Sequence, residues 1–419
     1  MTLPPEATED LVADIEQTAS AAEPPGDRPG RQPVHTVYVP ADRVDTATVR
    51  GLGLEARRLL DTHAPDGTAL AHATGLGADI ADAVRARVAA KLATEPVEDL
   101  RIDFEDGYGV RDDDVEDADA ARTARAIAEQ VRDGTAPPFW GLRPKSFADG
   151  AHRRAIRTID VFLTALLDAA GRLPDGLVIT FPKIVAAAHV AAFATLLERL
   201  ESALGLPDRS LLFEVQIETT ESIFDRDGRV ALPGIVAAGD GRIVGAHFGV
   251  FDYTAACGLT GGAQRLDHPA CDFARHVMQV SLAGTGVRLS DGSTNRVPAD
   301  DSTAAVTDVW RHHADLVRRS MAHGFHQGWD LHASHLVSRF AAVFAFHRAH
   351  LDDTTRRLAA WSSSRANDSG VLDEPATIRG LLTALRRAID CGAIDEATAL
   401  SAARIDRAAL RPRGRGRHG

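Results

Sequence analysis

The sequence predicts an α/β protein built as a (β/α)8 TIM barrel, with a C-terminal helical extension and flexible termini. Two observations carry that expectation. Eight short β-prone runs alternate with longer alanine-rich stretches of helical period, and the residues that end the runs are unusually polar. The runs are 36–40, 100–105, 139–143, 177–182, 211–218, 243–249, 286–291 and 328–332. Between them lie helical stretches such as 115–132, 153–170, 186–204, 272–284 and 303–323, in which apolar residues return every three or four positions. Such alternation means parallel strands joined by crossover helices. An open doubly wound sheet has fewer strands and a glycine-rich first turn, and neither GxGxxG nor GxxxxGK[ST] follows any run.

The 419 residues fit one barrel-sized domain with extensions. Residues 1–34, rich in Pro, Glu and Ala, read as a flexible arm carrying at most a short helix. The barrel is expected over 35–350, a helical extension over 351–405 and a basic disordered tail over 406–419. With 44% hydrophobic and 25% charged residues, the composition excludes wholesale disorder, collagen-like repeats and disulfide-stapled miniproteins. Three cysteines without metal-like spacing suit a reducing compartment, so a cytoplasmic location is expected. The acidic start is unlike a signal peptide, and no run reaches membrane-spanning length. A net charge of −12 disfavours nucleic acid as a partner, and the Arg-Gly tail reads as a solvated terminus.

In such barrels chemistry gathers where strands end. Here those ends carry Asp103, Glu105 and Asp106, then Arg143 and Lys145, Lys183, Glu218, Asp252, Asp291, and finally Asp330 and His332. Concentrating carboxylates beside cations at one rim costs stability unless ions or substrate pair with them. Hard oxygen donors without paired His or Cys suit Mg2+ or Mn2+, with Glu218 and Asp252 as ligands. Arg143 could seat a substrate carboxylate bidentately, so that a 2-oxo acid chelates the metal and an enolate is stabilised when a carbon–carbon bond breaks. Blander roles stand beside these: Glu218 as a partner of Lys183 only, and Asp252 as a loop cap.

Asp103, Glu105 and Asp106 alternate across a strand, which favours ordering of inner groups over direct ligation. Lys183 reads as a neutraliser of rim carboxylates in preference to a Schiff-base nucleophile. Most of the C-terminal histidines read as surface or hydrogen-bonding residues, and His247 as a satisfied core histidine. His332, at a strand end, is kept as a substrate-orienting group.

Seven elements resemble, in order over about residues 35–345, the citrate lyase beta-subunit and HpcH/HpaI aldolase superfamily. Val37 to Arg43 resembles VPGDR, Ile102 to Asp106 resembles DLED, and Leu142-Arg143-Pro144 stands where VRxN is expected. Phe181-Pro182-Lys183 resembles LPK, Ile217-Glu218-Thr219 resembles IET, and Phe248 to Tyr253 resembles FGxxDL. Gly324-Phe325 with Trp329 to Ser334 resembles GF…AIHPSQ. The resemblance implies a barrel with Mg2+ on Glu218 and Asp252 and a substrate carboxylate on Arg143. Beside these, Arg43 and His332 are expected to bind substrate with Arg143, and Asp103, Glu105 and Lys183 to serve catalysis with it.

Its activity would be cleavage or condensation of a 2-oxo acid or hydroxyacyl substrate, with coenzyme A thioesters among the options. Malate-synthase-like condensation of acetyl-CoA and a non-catalytic binding barrel are the alternatives. Departures from the pattern are the long link between Arg43 and Asp103, Pro144 in place of asparagine, and Ser334-His335 in place of a proline turn. The helical stretch 373–403, amphipathic over 376–389 and broken at Cys391-Gly392, makes a homo-oligomer plausible on this resemblance, with a packing appendage as the alternative.

Overall fold

The computed structural model describes residues 9, 12–15, 17, 26, 28–148, 150–363 and 373–411. The eight runs are all strands, β1 His35–Pro40, β2 Asp99–Asp103, β3 Phe139–Arg143, β4 Ile179–Phe181, β5 Phe213–Ile217, β6 Ile243–Phe248, β7 Arg288–Ser290 and β8 Gly328–Asp330. They pair in parallel as two four-stranded halves, β3-β2-β1-β8 and β4-β5-β6-β7. Parallel bridges at Trp140–Leu177 and Ser290–Gln327 join the halves at both seams, so the strands run round as a TIM barrel.

Helices follow the strands: α4 Asp113–Arg132, α5 His152–Ala170, α6 Ala187–Leu204, α7 Leu232–Ala238, α8 Val250–Ala256, α9 Pro269–Leu282, α10 Thr303–Ala322 and α11 Ala333–Ala349. The long link after β1 folds as three helices, α1 Thr48–His63, α2 Gly67–Thr74 and α3 Ala81–Thr94, which pack on α10 and α11. No helix among the described residues is long and apolar enough to cross a membrane.

Both faces of the strands are buried, but by different chemistry. Leu100, Ile102, Leu142, Phe213, Val215 and Ile217 are buried against the helices. The lumen is polar and held together by ion pairs. Arg101 reaches Asp99 at 2.8 Å and Glu214 at 3.1 Å, Glu214 meets His247 Nε2 at 2.9 Å, and Trp329 donates to His247 Nδ1 at 2.7 Å. Burying these charges is tolerable because each has a partner. Gly141 makes room for them: a Cβ there would stand 1.7 Å from the Val178 carbonyl and 2.6 Å from Arg101 Nη1.

The extension forms α12 Leu351–Ser362, α13 Pro375–Asp390 and α14 Glu396–Ala403, with the chain turning at Gly392 (φ +86°). The end of α13 packs beside Gln32 and Arg288, at the end of the barrel where the strands begin. The final stretch of the expected N-terminal arm is ordered there too. Arg31 pairs with Glu95 at 2.7 Å and with the buried Glu98 at 2.5 Å, while Gln32 donates to the Leu289 carbonyl at 2.9 Å. A buried carboxylate at the start of β2 supplies the anchor that composition alone did not reveal. Residues 407–410, expected to be tail, close a 3-10 turn capped by Asp406. The rest of the arginine tail, 412–419, lies outside the described residues.

Candidate active site

At the ends of the strands a cavity of about 400 Å3 opens, lined in part by Tyr38, Arg43, Asp103, Arg143, Glu218 and Asp252. Pro182 and Lys183 follow β4, and Lys183 sits in the left-handed region at φ +49°, a conformation that costs a residue with a Cβ about 1–2 kcal/mol. Its backbone N–H donates to Glu218 Oε1 at 2.8 Å. Its ammonium lies 2.5 Å from Glu105, 3.0 Å from Asp106 and 3.4 Å from Asp252. Although burial opposes it, these surrounding carboxylates hold the Lys183 amine above its ordinary range. Ringed by these carboxylates, the amine offsets the negative charge of the rim.

Glu218, at the end of β5, is 2% exposed, and the Lys183 N–H is its one hydrogen-bond partner among the described residues. Burial, aided by the Glu105 and Asp252 carboxylates, pushes its carboxyl up to about 8. Asp252 stands in the first turn of α8 with its side chain 42% exposed. Gly249, just before that helix, lets the two elements meet. A Cβ there would lie 2.3 Å from Glu218 Oε2 and 2.4 Å from Glu218 Cβ. Gly249→Ala is expected to displace the Glu218 carboxylate, read as at least a tenfold loss of Mg2+ affinity by calorimetry with the circular dichroism spectrum retained.

The β2–β3 register sets Asp103 beside Arg143. Arg143 Nε and Nη2 grip Asp103 at 2.7 and 2.8 Å, Nη1 lies 3.3 Å from Glu105, and the guanidinium rests 4.9 Å from the Tyr38 ring centroid. Asp103 also accepts from the N–H groups of Glu105 at 3.0 Å and Gly107 at 2.8 Å. Burial raises Glu105; for Asp106, burial is outweighed by Arg143 and Lys183, which hold it low. Arg43, on the 3-10 turn Ala41–Arg43, lines the mouth and makes no ion pair among the described residues.

Sequence comparison places the chain over residues 12–418 in the family described as a domain of unknown function, DUF6986. The chain belongs to that family. No curated protein matches this DUF6986 chain. Among solved structures, it is similar to a citrate lyase from Burkholderia xenovorans LB400, at 20% identity and a TM-score of 0.58 over 89% of this chain and 97% of that one. It also matches Haloferax volcanii malate synthase, at 15% identity and a TM-score of 0.49 over 90% and 99% of the two chains. The likeness to the citrate lyase shows a common fold.

The structure of this DUF6986 barrel revises several expected roles. Arg143 cannot offer a free bidentate fork, because Asp103 occupies Nε and Nη2; among the described residues the cation left open at the mouth is Arg43. His332 is absent from the cavity wall and instead caps α11, its Nδ1 accepting from the Ser334 N–H at 3.1 Å. Its half-buried ring is pushed down by burial. His332→Ala is expected to leave turnover unchanged and to cost about 1 kcal/mol of stability, the usual worth of a cap, measured by urea denaturation.

Asp291 and Asp330 also leave the rim, because their side chains point outward into the helix layer. Asp291 meets Arg275 at 3.0 Å. Asp330 meets Arg339 at 2.8 Å, His35 at 2.9 Å and His313 at 3.2 Å. His313, Asp330 and His335 lie close enough together to suggest a metal centre. Their ring nitrogens are taken, however, by Ser338 (2.7 Å), Asp330, the Arg296 carbonyl (2.8 Å) and the Leu331 N–H (3.3 Å), with Arg339 beside them. This cluster is a buried charge network.

Two residues of the cavity floor escaped the sequence reading. Tyr38 and Trp329 line it, and the buried Tyr38 hydroxyl has no hydrogen-bond partner among the described residues. Burial raises that hydroxyl above its ordinary range, which keeps it a proton-bearing donor. Tyr38 shares the inward face of Thr36, two residues away, but no alternation of apolar and polar residues marks that face in the sequence.

Proposed function

We propose that this chain is a metal-dependent carbon–carbon lyase or aldolase acting on a small 2-oxo acid or hydroxyacyl substrate. One observation carries the reading: Glu218, a buried carboxylate with a single hydrogen bond, lines the same cavity as Asp252 and the unpaired Arg43. The barrel shared with a protein named citrate lyase is the scaffold on which the reading rests. Two hard carboxylates from adjoining elements, one lacking a compensating charge at its open side, fit Mg2+ or Mn2+. Glu218 and Asp252 would hold the ion, which supplies Lewis acidity to a keto oxygen when bound.

The protein groups account for the remainder. Arg43 receives the substrate carboxylate, with Arg143 Nη1 facing the same space. Asp103 fixes the Arg143 plane, and Lys183 pairs with Glu105 and Asp106, offsetting negative charge beside the substrate carboxylate. In the cleavage direction the carbon–carbon bond next to the enolisable carbon breaks. Its electron pair enters the 2-oxo fragment as an enolate, while the departing carbinol gives its hydroxyl proton to solvent water in the open mouth and becomes a carbonyl compound; water returns a proton to the enolate carbon, completing the 2-oxo acid. Tyr38, protonated on the cavity floor, is placed to donate a hydrogen bond to oxygen.

The test is a screen of purified protein with Mg2+ or Mn2+ against oxaloacetate, 4-hydroxy-2-oxo acids and malyl-type thioesters, following pyruvate or glyoxylate. Glyoxylate with acetyl-CoA is run in the condensation direction. Turnover abolished by EDTA and restored by metal supports the reading. Metal-dependent condensation of acetyl-CoA alone assigns the malate-synthase-like alternative, and no metal-dependent turnover on any of these substrates refutes the proposal.

A further inference from the structure

The end of the barrel away from the mouth holds a second cavity, of about 140 Å3. Among the described residues four arginines line it, Arg28, Arg288, Arg386 and Arg387, beside one acidic side chain, Asp390. They converge from three parts of the fold: Arg288 opens β7, Arg28 precedes β1, and the other two end α13. Neither Arg28 nor Arg386 makes an ion pair among the described residues, and Arg28 Nε is buried without a hydrogen-bond partner. Arg288 spends one N–H on the Pro29 carbonyl at 3.2 Å.

Gathering guanidinium groups in a half-buried hollow is unfavourable unless an anion joins them. That the chain does so while carrying a net charge of −12 makes the concentration more telling. Planar forks from several directions match the oxygens of a phosphoryl group. Gly284 and Gly286, both at φ +78°, line the same hollow and bring backbone without side chains to its wall. The volume falls below the ~300–1,000 Å3 of sites for drug-sized ligands, which suits a phosphoryl group.

We propose that this hollow is a binding site for the phosphoryl group of a small ligand, separate from the catalytic mouth. Burial and the positive charges of Arg28, Arg386 and Arg387 hold Arg288 below its ordinary range, against the opposing pull of Glu214. The site does not depend on the reaction proposed at the mouth.

Isothermal titration calorimetry of the full chain with inorganic phosphate, glycerol 3-phosphate and malonate tests this. Saturable phosphate binding is expected, at least tenfold weaker in Arg288→Gln and in Arg386→Gln and unchanged in Arg43→Ala. Tighter binding of the monoester assigns an organic phosphate, and equal binding assigns the free ion. Arg386 is half-exposed at a helix end, so its variant decides if Arg288→Gln does not fold. Absence of saturable binding, equal affinity for malonate, retention of binding in Arg386→Gln, or its loss in Arg43→Ala overturns the proposal.

Discussion

Glu218→Gln is expected to abolish metal-dependent turnover and to weaken Mg2+ binding by more than the ~10–100-fold that loss of an outer-sphere partner costs. The fold should survive, because the amide keeps the shape and can still accept the Lys183 N–H. The pH dependence follows from the raised carboxyl, at about 8 in the folded chain, against roughly 4.3 when unfolded. A carboxyl raised on folding favours the folded state while protonated. Its contribution is complete below the unfolded value and is lost as pH climbs towards 8.

Metal-free protein should therefore lose stability across that window, by on the order of a few kcal/mol, and Glu218→Gln should remove the slope. Added Mg2+ selects the ionised carboxylate and releases a proton, so affinity should rise from pH 6 to pH 8 and then level off. Urea denaturation at several pH values, paired with calorimetry in buffers of differing ionisation heat, reads both effects. Unchanged metal affinity in the variant, or binding without proton release at pH 7, removes Glu218 from the site.

All eight strands could be read from the chain, because a strand flanked by crossover helices is short, β-prone and bounded by turns. What those runs could not display was parity. Each is buried on both sides, so no alternation of apolar and polar residues marks which side faces the lumen. Asp330 and Glu218 therefore looked equivalent as acidic strand ends, although one points into the helices and the other into the cavity. Trp329 gives the clue afterwards, since an inward tryptophan sends its neighbour Asp330 outward. The engagement of Arg143 was hidden for a related reason: it depends on Asp103 lying directly opposite in the neighbouring strand, and register between strands far apart in sequence is not written in either one. The end of α13 comes to lie where the strands begin, with Ile378, Leu385 and Ala388 buried, a placement that helical periodicity cannot locate.

Arg143→Ala should be the most destabilising change at the mouth, costing about 3–5 kcal/mol, the usual result of stripping one partner from a buried pair. The reason is the company Arg143 keeps: Asp103 at 2.7 Å is buried and Glu105 at 3.3 Å is half-buried, and Lys183 alone cannot serve both, since its ammonium is committed to Glu105 and Asp106. Arg143→Lys retains the charge but loses the planar fork, so it should recover part of the stability and little of kcat. The same geometry makes a sharper demand. If Arg143 acts through Asp103, then Asp103→Asn in the Arg143→Ala background should cost far less than in the wild type, with a coupling of at least about 2 kcal/mol in a double-mutant cycle of urea midpoints. A structural pair that plays no role in the reaction would show this coupling in stability without any in kcat/KM, so the cycle is run on both quantities. Additive losses in stability would mean the fork is not what holds the rim together. Coupled losses in both would identify Asp103 and Arg143 as one positioning unit, with Arg43 left to meet the substrate.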